Sequence, residues 1–399
     1  MSDPWLTIIG ITEDGPAGLP DASRRALEAA EVVFGGPRHL ALAGAGARGR
    51  AWPVPFDLAP LLALRGRPVA ALVSGDPFWC GAGGSIAAAL APGEWRALPA
   101  PGVLSLAASR LGWRLEDVVT LGLHAAPLAR LRPHLARGCR IIATLRDADS
   151  PAALAAWLVD EGAGAARLTV LERLGGPAER VRTMPAHAFA MDCAAPVAVA
   201  IDGTELPRGY GLPSVPGRAD LLFTDDGQIT RSPIRAMTLA ALEPRAGALL
   251  WDIGGGSGAV AVEWALAGGR AVTIEPRADR IARIRANLDG FGVAHRVTAI
   301  QGSAPPALDG LPDPDAVFVG GGASEALMQA LWARLPPGAR LVANAVTLET
   351  EALLARWHAS CGGRLIRIDI AEAAPLGRMR GWSPARPVTQ WSVTCGSPE

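Results

Sequence analysis

The stretch Leu249-Leu-Trp-Asp-Ile-Gly-Gly-Gly-Ser-Gly258 decides the fold of the second half of this chain. Its first residues are apolar and read as a buried strand. Four glycines in the next five positions then let the backbone turn sharply, and an apolar helical pattern opens near Gly258. A strand, a glycine loop and a helix make the first turn of a doubly wound α/β sheet, where ligands sit at the carboxyl edge of the strands. Gly254, Gly256 and Ala259 also satisfy GxGxxA, so a nicotinamide cofactor and S-adenosylmethionine (SAM) both stand as readings.

Context favours SAM. Asp252 lies inside the strand end, two residues before the first glycine, where a carboxylate can receive the ammonium of SAM. Dinucleotide folds keep that place apolar or glycine. Glu275 ends the next strand (AVTIEPR) and can accept both ribose hydroxyls, a feature that the two readings share. Gln301-Gly-Ser-Ala304 ends a third strand at a position suited to adenine, and Gly320-Gly-Gly322 ends a fourth. Candidate cofactor contacts here are Asp252, Gly254, Gly255, Gly256, Ser257, Gly258, Glu275, Gly302 and Gly320.

Working outward, the second half alternates strand-like runs (248–253, 271–274, 297–300, 316–319, 340–345, then 365–370 and 389–394) with helical patterns. Ser232-Pro233 reads as an N-cap and first helical residue. A doubly wound sheet with a closing antiparallel pair is expected. Upstream, residues 202–218 (DGTELPRGYGLPSVPGR) lack periodicity and read as linker and entry arm. The first half carries strand-like runs at 6–11, 69–73, 139–145, 168–171 and 197–201. Helical patterns at 21–30, 84–90, 103–111 and 151–161 alternate with them, which implies parallel βαβ units. The expected division is residues 1–204, a linker at 205–218, and 219–399.

Several motifs follow one another in a recognisable order. Thr230–Arg235, the GGGSG loop, QGSAPPAL, DAVFVGGG and NAVTLET resemble the decarboxylating precorrin methyltransferase domain, a class I SAM-dependent, Rossmann-like fold. The resemblance adds Thr230 and Ala304 to the cofactor contacts. In the first half, VVFGGPRHL, SGDPFWCGAG, PAPGVLSLAASRLGW, LGLHA and LERLGGPAERV resemble the tetrapyrrole methylases, a two-lobed class III fold. There SAM lies in a trough between the lobes. Gly10, Gly75, Asp76, Pro77, Gly102 and Ser105 match the lining loops, Leu104 replaces one member of a serine pair, and His124 matches a family histidine. The two together resemble the fused decarboxylating precorrin methyltransferases of cobalamin biosynthesis. This implies one SAM per domain, methylation of C5 by the first domain, methylation of C15 with loss of the ring C acetate carboxylate by the second, and a homo-oligomer.

Composition narrows the chemistry. The chain of 399 residues has 38 Lys+Arg against 38 Asp+Glu, and every one of those cations is arginine. Schiff-base and phosphate-loop lysine chemistries are excluded. Zero net charge, one tyrosine and seven phenylalanines argue against nucleic-acid binding. Five scattered cysteines without a CxxC pair read as buried thiols of a reducing cytoplasm, with no metal site. No signal peptide and no membrane span are expected. The six histidines lack ligand or triad spacing, so no catalytic side chain is assigned. Arginine must then bind a polycarboxylate substrate, and Arg378 and Arg380 in AAPLGRMRGW are the expected clamp. Two alternatives stand beside this reading: a nicotinamide-dependent oxidoreductase, and a fusion with one catalytically silent SAM-binding domain.

Overall fold

The computed structural model describes residues 4–396. They fall into two compact units. Unit 1 holds the residues up to Leu128 with His134–Tyr210; unit 2 holds Ala129–Pro133 with the residues from Gly211 on. The units part inside the Pro/Gly-rich stretch at 202–218.

The first lobe of unit 1 contains β1 (Leu6–Ile11), α1 (Asp21–Ala29), β2 (Val32–Gly35), α2 (Pro37–Leu42), β3 (Gly49–Ala51), α3 (Ala59–Leu62), β4 (Val69–Ser74), α4 (Gly83–Ala88) and β5 (Trp95–Leu98). The strands form a wholly parallel sheet in the order β3-β2-β4-β1-β5. β1 is buried along its length: Leu6 and Ile8 face one core, Ile9 and Ile11 the other. A strand covered on both faces explains the continuous apolar run.

Helix α5 (Val103–Leu111) leads to the second lobe: β6 (Val119–Gly122), β7 (Arg140–Thr144), α6 (Ser150–Asp160), β8 (Arg167–Glu172), β9 (Arg180–Pro185) and β10 (Val197–Asp202). The order is β6-β7-β10-β8-β9, and only β6 and β7 run parallel. This corrects the expectation of parallel units throughout. A short loop returns β8 directly to β9, and no crossover helix separates β8 from β10, so the chain pairs antiparallel. The cysteine expectation also needs correction: Cys80 is exposed, and only Cys395 is buried.

Unit 2 runs α7 (Ser232–Leu242), β11 (Leu249–Ile253), α8 (Ala259–Leu266), β12 (Arg270–Glu275), α9 (Ala278–Gly290), β13 (Val297–Gln301), β14 (Ala316–Val319), α10 (Glu325–Arg334), β15 (Arg340–Ala345), α11 (Leu348–Cys361), β16 (Arg364–Ile368), β17 (Ala371–Leu376), β18 (Met379–Pro384) and β19 (Val388–Thr394). Seven strands form one sheet in the order β13-β12-β11-β14-β15-β19-β16, with β19 antiparallel to both neighbours. The chain leaves β11 toward β12 and leaves β14 toward β15, so a crevice opens between β11 and β14 at the switch point. β17 and β18 form a separate hairpin closed by the Leu376–Met379 pair. Ser232 is not the cap of α7. Its hydroxyl donates to Gly217 O, and Arg231 takes the cap position.

Candidate active site

A cavity of about 1160 Å³ opens at the switch point of unit 2. Its inner wall is the glycine loop, Gly254–Ser257, with Gly320–Gly322 beyond β14. Asp252 and Glu275 reach it from the ends of β11 and β12, and both are almost wholly buried. Asp252 Oδ2 accepts from Thr273 Oγ1 at 3.0 Å, and the nearby Ala261 N–H in the first turn of α8 also favours its ionised form. Burial outweighs both effects and pushes the Asp252 carboxyl up to about 7. Glu275 accepts one N–H at each oxygen, from Gly256 at 3.0 Å and from Arg277 at 3.1 Å. A carboxylate oxygen has more than one acceptor position, so hydroxyl donors can still be received.

A strap, residues 224–231, crosses the glycine loop. Gly256 has φ +58°, and a Cβ there would lie 2.8 Å from Gln228 O, so glycine is required both by the turn and by the strap. Asn287 of α9 ties Thr224 to Ser257 through three hydrogen bonds. Asp226 pairs with Arg280 at 3.0 Å and with Arg283 at 2.8 Å; the bond from Arg280 is the main reason its carboxyl falls to about 2. At the other end Arg235, fully buried, donates to Thr230 O, Arg218 O, Asp220 and Glu263. Thr230 itself lines the cavity.

Of the sequence candidates in unit 2, Thr230, Asp252, Gly254, Gly255, Gly256, Ser257, Glu275 and Gly320 line this cavity. Gly258, Gly302 and Ala304 do not. Gly258 caps α8, and Ala304 packs against the core. The outer half of the cavity was not foreseen. It is walled by Ile234, Ile368, Ile370 and Val388, by Asn344, and by the hairpin base with Arg386. Arg378 and Arg380 are not on this wall: Arg378 sits in the hairpin turn, and Arg380 pairs with Pro375 next to it. The arginines on the wall are Arg231, Arg280 and Arg386. Arg280 is committed to Asp226. Arg231 is largely exposed and lies 3.5 Å from Asp220, and exposed Arg386 has no ion pair among the described residues.

In unit 1 the glycines bring three loops together at the carboxyl edge of the parallel sheet. A Cβ on Gly10 would lie 1.9 Å from Gly75 O and 2.6 Å from Ala100 N. Gly75 has φ +51°, and a Cβ on it would lie 2.7 Å from Gly102 Cα. Asp76 Oδ1 accepts from Phe78 N, Pro77 O accepts from Gly83 N, and Ser105 is exposed on the first turn of α5. Leu104 packs into the second lobe's core, which accounts for an apolar residue beside Ser105. His124 is exposed beyond β6, and its carbonyl accepts from Arg146. Among the described residues no group of three His, Cys, Asp or Glu could hold a metal, and no helix is long and apolar enough to cross a membrane.

Comparison with known proteins matches both units. The profile of the tetrapyrrole (corrin/porphyrin) methylases covers residues 6–190, and that of the precorrin methyltransferase domain covers residues 221–395. A precorrin-6Y C(5,15)-methyltransferase (decarboxylating) from a Sinorhizobium species is 51% identical over 401 residues, which is 98% of this chain and 97% of that one. Its counterpart in Mycobacterium tuberculosis H37Rv is 39% identical over 98% of this chain and 99% of its own. The crystal structure of the C-terminal domain of precorrin-6Y C5,15-methyltransferase from Rhodobacter capsulatus is 64% identical and covers 46% of this chain and all of that one, at a TM-score of 0.45. The fold and its relatives define a methyltransferase that joins a tetrapyrrole methylase to a precorrin methyltransferase domain. The chain belongs to the precorrin-6Y C5,15-methyltransferase (decarboxylating) family. The nicotinamide and silent-domain readings find no support among these relatives.

Proposed function

We propose that this chain is a cytoplasmic, homo-oligomeric enzyme of cobalamin biosynthesis that methylates a precorrin at C5 and C15 and removes the carboxylate of one acetate. Unit 1 methylates C5. Unit 2 methylates C15 and decarboxylates. The division follows residues 1–204 and 219–399 across the linker at 205–218. The observation that carries the reading is the unit 2 cavity, in which two buried carboxylates stand at the ends of adjacent strands beneath a glycine loop.

The residues of that cavity fit SAM. Among the described residues Asp252 has no cationic partner, and an ammonium beside it restores the ionised form. Glu275 retains acceptor capacity for two hydroxyls. When bound, SAM supplies an electrophilic methyl group on sulfur. Unit 1 holds a second SAM on the loops at Gly10, Gly75–Pro77, Gly102 and Ser105. In both units the protein positions donor and acceptor, a contribution of up to about 7–11 kcal/mol for well-aligned reactants.

The outer half of the cavity holds the macrocycle. The face of Ile234, Ile368, Ile370 and Val388 takes the ring, while Arg231 and Arg386 form an inner carboxylate clamp. Arg378 and Arg380, at the hairpin tip, form an outer pair. Decarboxylation uses the conjugated macrocycle as electron sink, and the apolar wall favours loss of a charged carboxylate by withholding water.

The test is to give the full chain SAM and precorrin-6Y and to weigh the product. A gain of two methyl groups with loss of one CO2 is expected. A product without added methyl would end the proposal.

A further inference from the structure

Four side chains of unit 1 form a chain that the cofactor reading leaves without a task. Glu13 follows β1, Arg38 and His39 lie in the first turn of α2, and Ser74 is the last residue of β4. All stand at the carboxyl edge of the same parallel sheet. Ser74 Oγ is 2.9 Å from Arg38 Nη2 and 2.8 Å from His39 Nε2, and those two nitrogens are 3.0 Å apart. The other arm of Arg38 binds Glu13.

The donor pattern fixes the direction of the chain. A guanidinium only donates, so His39 Nε2 is the nitrogen with the lone pair and the ring hydrogen is on Nδ1. Nδ1 is buried and has no hydrogen-bond partner among the described residues. Arg38 also donates to Ser74 Oγ, which turns the serine hydrogen toward His39 Nε2. Burial, with the neighbouring Arg38 charge, lowers His39 to about 4, so the resting imidazole is neutral, and its one Nε2 lone pair is shared between the Arg38 and Ser74 hydrogens. Ser74 alone in β4 is exposed, and it leads directly into the Gly75–Pro77 loop.

Methylating a ring carbon that bears hydrogen imposes a second task. The new C–C bond forms as the donor's S–C bond breaks, and that electron pair stays on sulfur. The ring carbon then holds both CH3 and H, and the macrocycle is positively charged. Conjugation returns only when the hydrogen leaves as a proton. We propose that Ser74 is the catalytic residue that takes this proton in unit 1, passing its own hydroxyl hydrogen to His39 Nε2. The C–H electron pair returns to the ring, and the charge moves to the imidazolium, which releases the proton to water. Arg38 and Glu13 are positioning residues that hold the serine hydrogen in line. A weak base suffices because the carbon acid is a cation. The inference rests on the reading of unit 1 as a carbon methylase.

The test uses full-length Ser74→Ala and His39→Gln with SAM and precorrin-6Y. Each variant is expected to accumulate a decarboxylated product with one added methyl, the second methyl arriving about 100-fold more slowly or worse. Calorimetry should still find two SAM per chain. Deuterium at the methylated carbon should slow Ser74→Ala and leave the parent unchanged. The 15N shifts of His39 should show the Nδ1–H form in the parent and move in Ser74→Ala. Addition of both methyls at the parent rate overturns the proposal. Loss of one SAM site overturns it too, since the cluster is then scaffolding. Should His39→Gln fail to fold, the exposed Ser74→Ala decides alone. Failure of the underlying reading looks different: Gly10→Ala, which disrupts the unit 1 loops, would then leave both methylations intact.

Discussion

Arg235 Nε lies 2.7 Å from Glu263 Oε1, with neither side chain exposed to solvent. Glu263 also accepts from the Gly217 and Arg218 N–H groups, and Arg235 reaches Thr230 O and Asp220. The pair thus ties the entry arm, the strap and two helices of unit 2 into one network. Removing one member leaves the other charged and buried. Arg235→Met is expected to lose about 3–5 kcal/mol from the unit 2 transition in urea. The double change Arg235→Met with Glu263→Leu should not recover that loss, because buried Arg218 also pairs with Glu263 at 3.2 Å and would be left without its carboxylate.

Asp252 gives the second prediction. Its folded carboxyl titrates near 7, against an ordinary 3.8. The protonated form therefore contributes stability that is fully present below pH 4 and lost as the pH rises through 7, a span of roughly 4 kcal/mol. Asp252→Asn removes the titration, so the melting temperature of unit 2 should fall less between pH 5 and 8 in the variant than in the parent. SAM affinity at unit 2 should strengthen from pH 6 to 8 in the parent only. A parent with flat affinity over that range would show that Asp252 does not meet the ammonium.

Two alanines separate the cofactor sites. Gly256→Ala drives a Cβ against Gln228 O, and Gly10→Ala drives one against Gly75 O. Each should reduce calorimetric SAM stoichiometry from two to one, with the other unit's methylation retained. If either variant keeps both sites, that loop does not hold the cofactor.

The arginine clamp is tested by position. Arg386→Ala should raise KM for the precorrin about tenfold, equivalent to ~1.4 kcal/mol, without changing SAM affinity. Arg378→Ala and Arg380→Ala, at the hairpin tip, should each have a smaller effect. Equal effects from all three would move the substrate outward from the cavity to the hairpin tip.

The inner half of this site was legible because its residues sit at strand ends next to a glycine loop. Asp252, Gly254 and Glu275 announce themselves by position alone. The outer half was not. The closing antiparallel pair is legible, but its order is not: Ile368, Val388 and Arg386 join the cavity because β19 inserts between β15 and β16, and no local spacing encodes that insertion. The second lobe departs from the parallel expectation for a related reason. β9 (RVRTMP) is as long as β8 but exposed and charged, so no apolar run follows the Gly175-Gly-Pro177 turn to reveal the antiparallel return. The Glu13–Arg38–His39–Ser74 chain draws on a loop, a helix and a strand end, and only packing brings it together.

The strap over the Gly256 loop has a kinetic consequence. One end is closed by a buried ion pair that salt hardly reaches, the other by Asp226 and partly exposed arginines that salt screens. If the cofactor lies beneath the strap, as proposed above, raising ionic strength should loosen the Asp226 end and shorten its residence on unit 2, while the Arg235–Glu263 end stays shut.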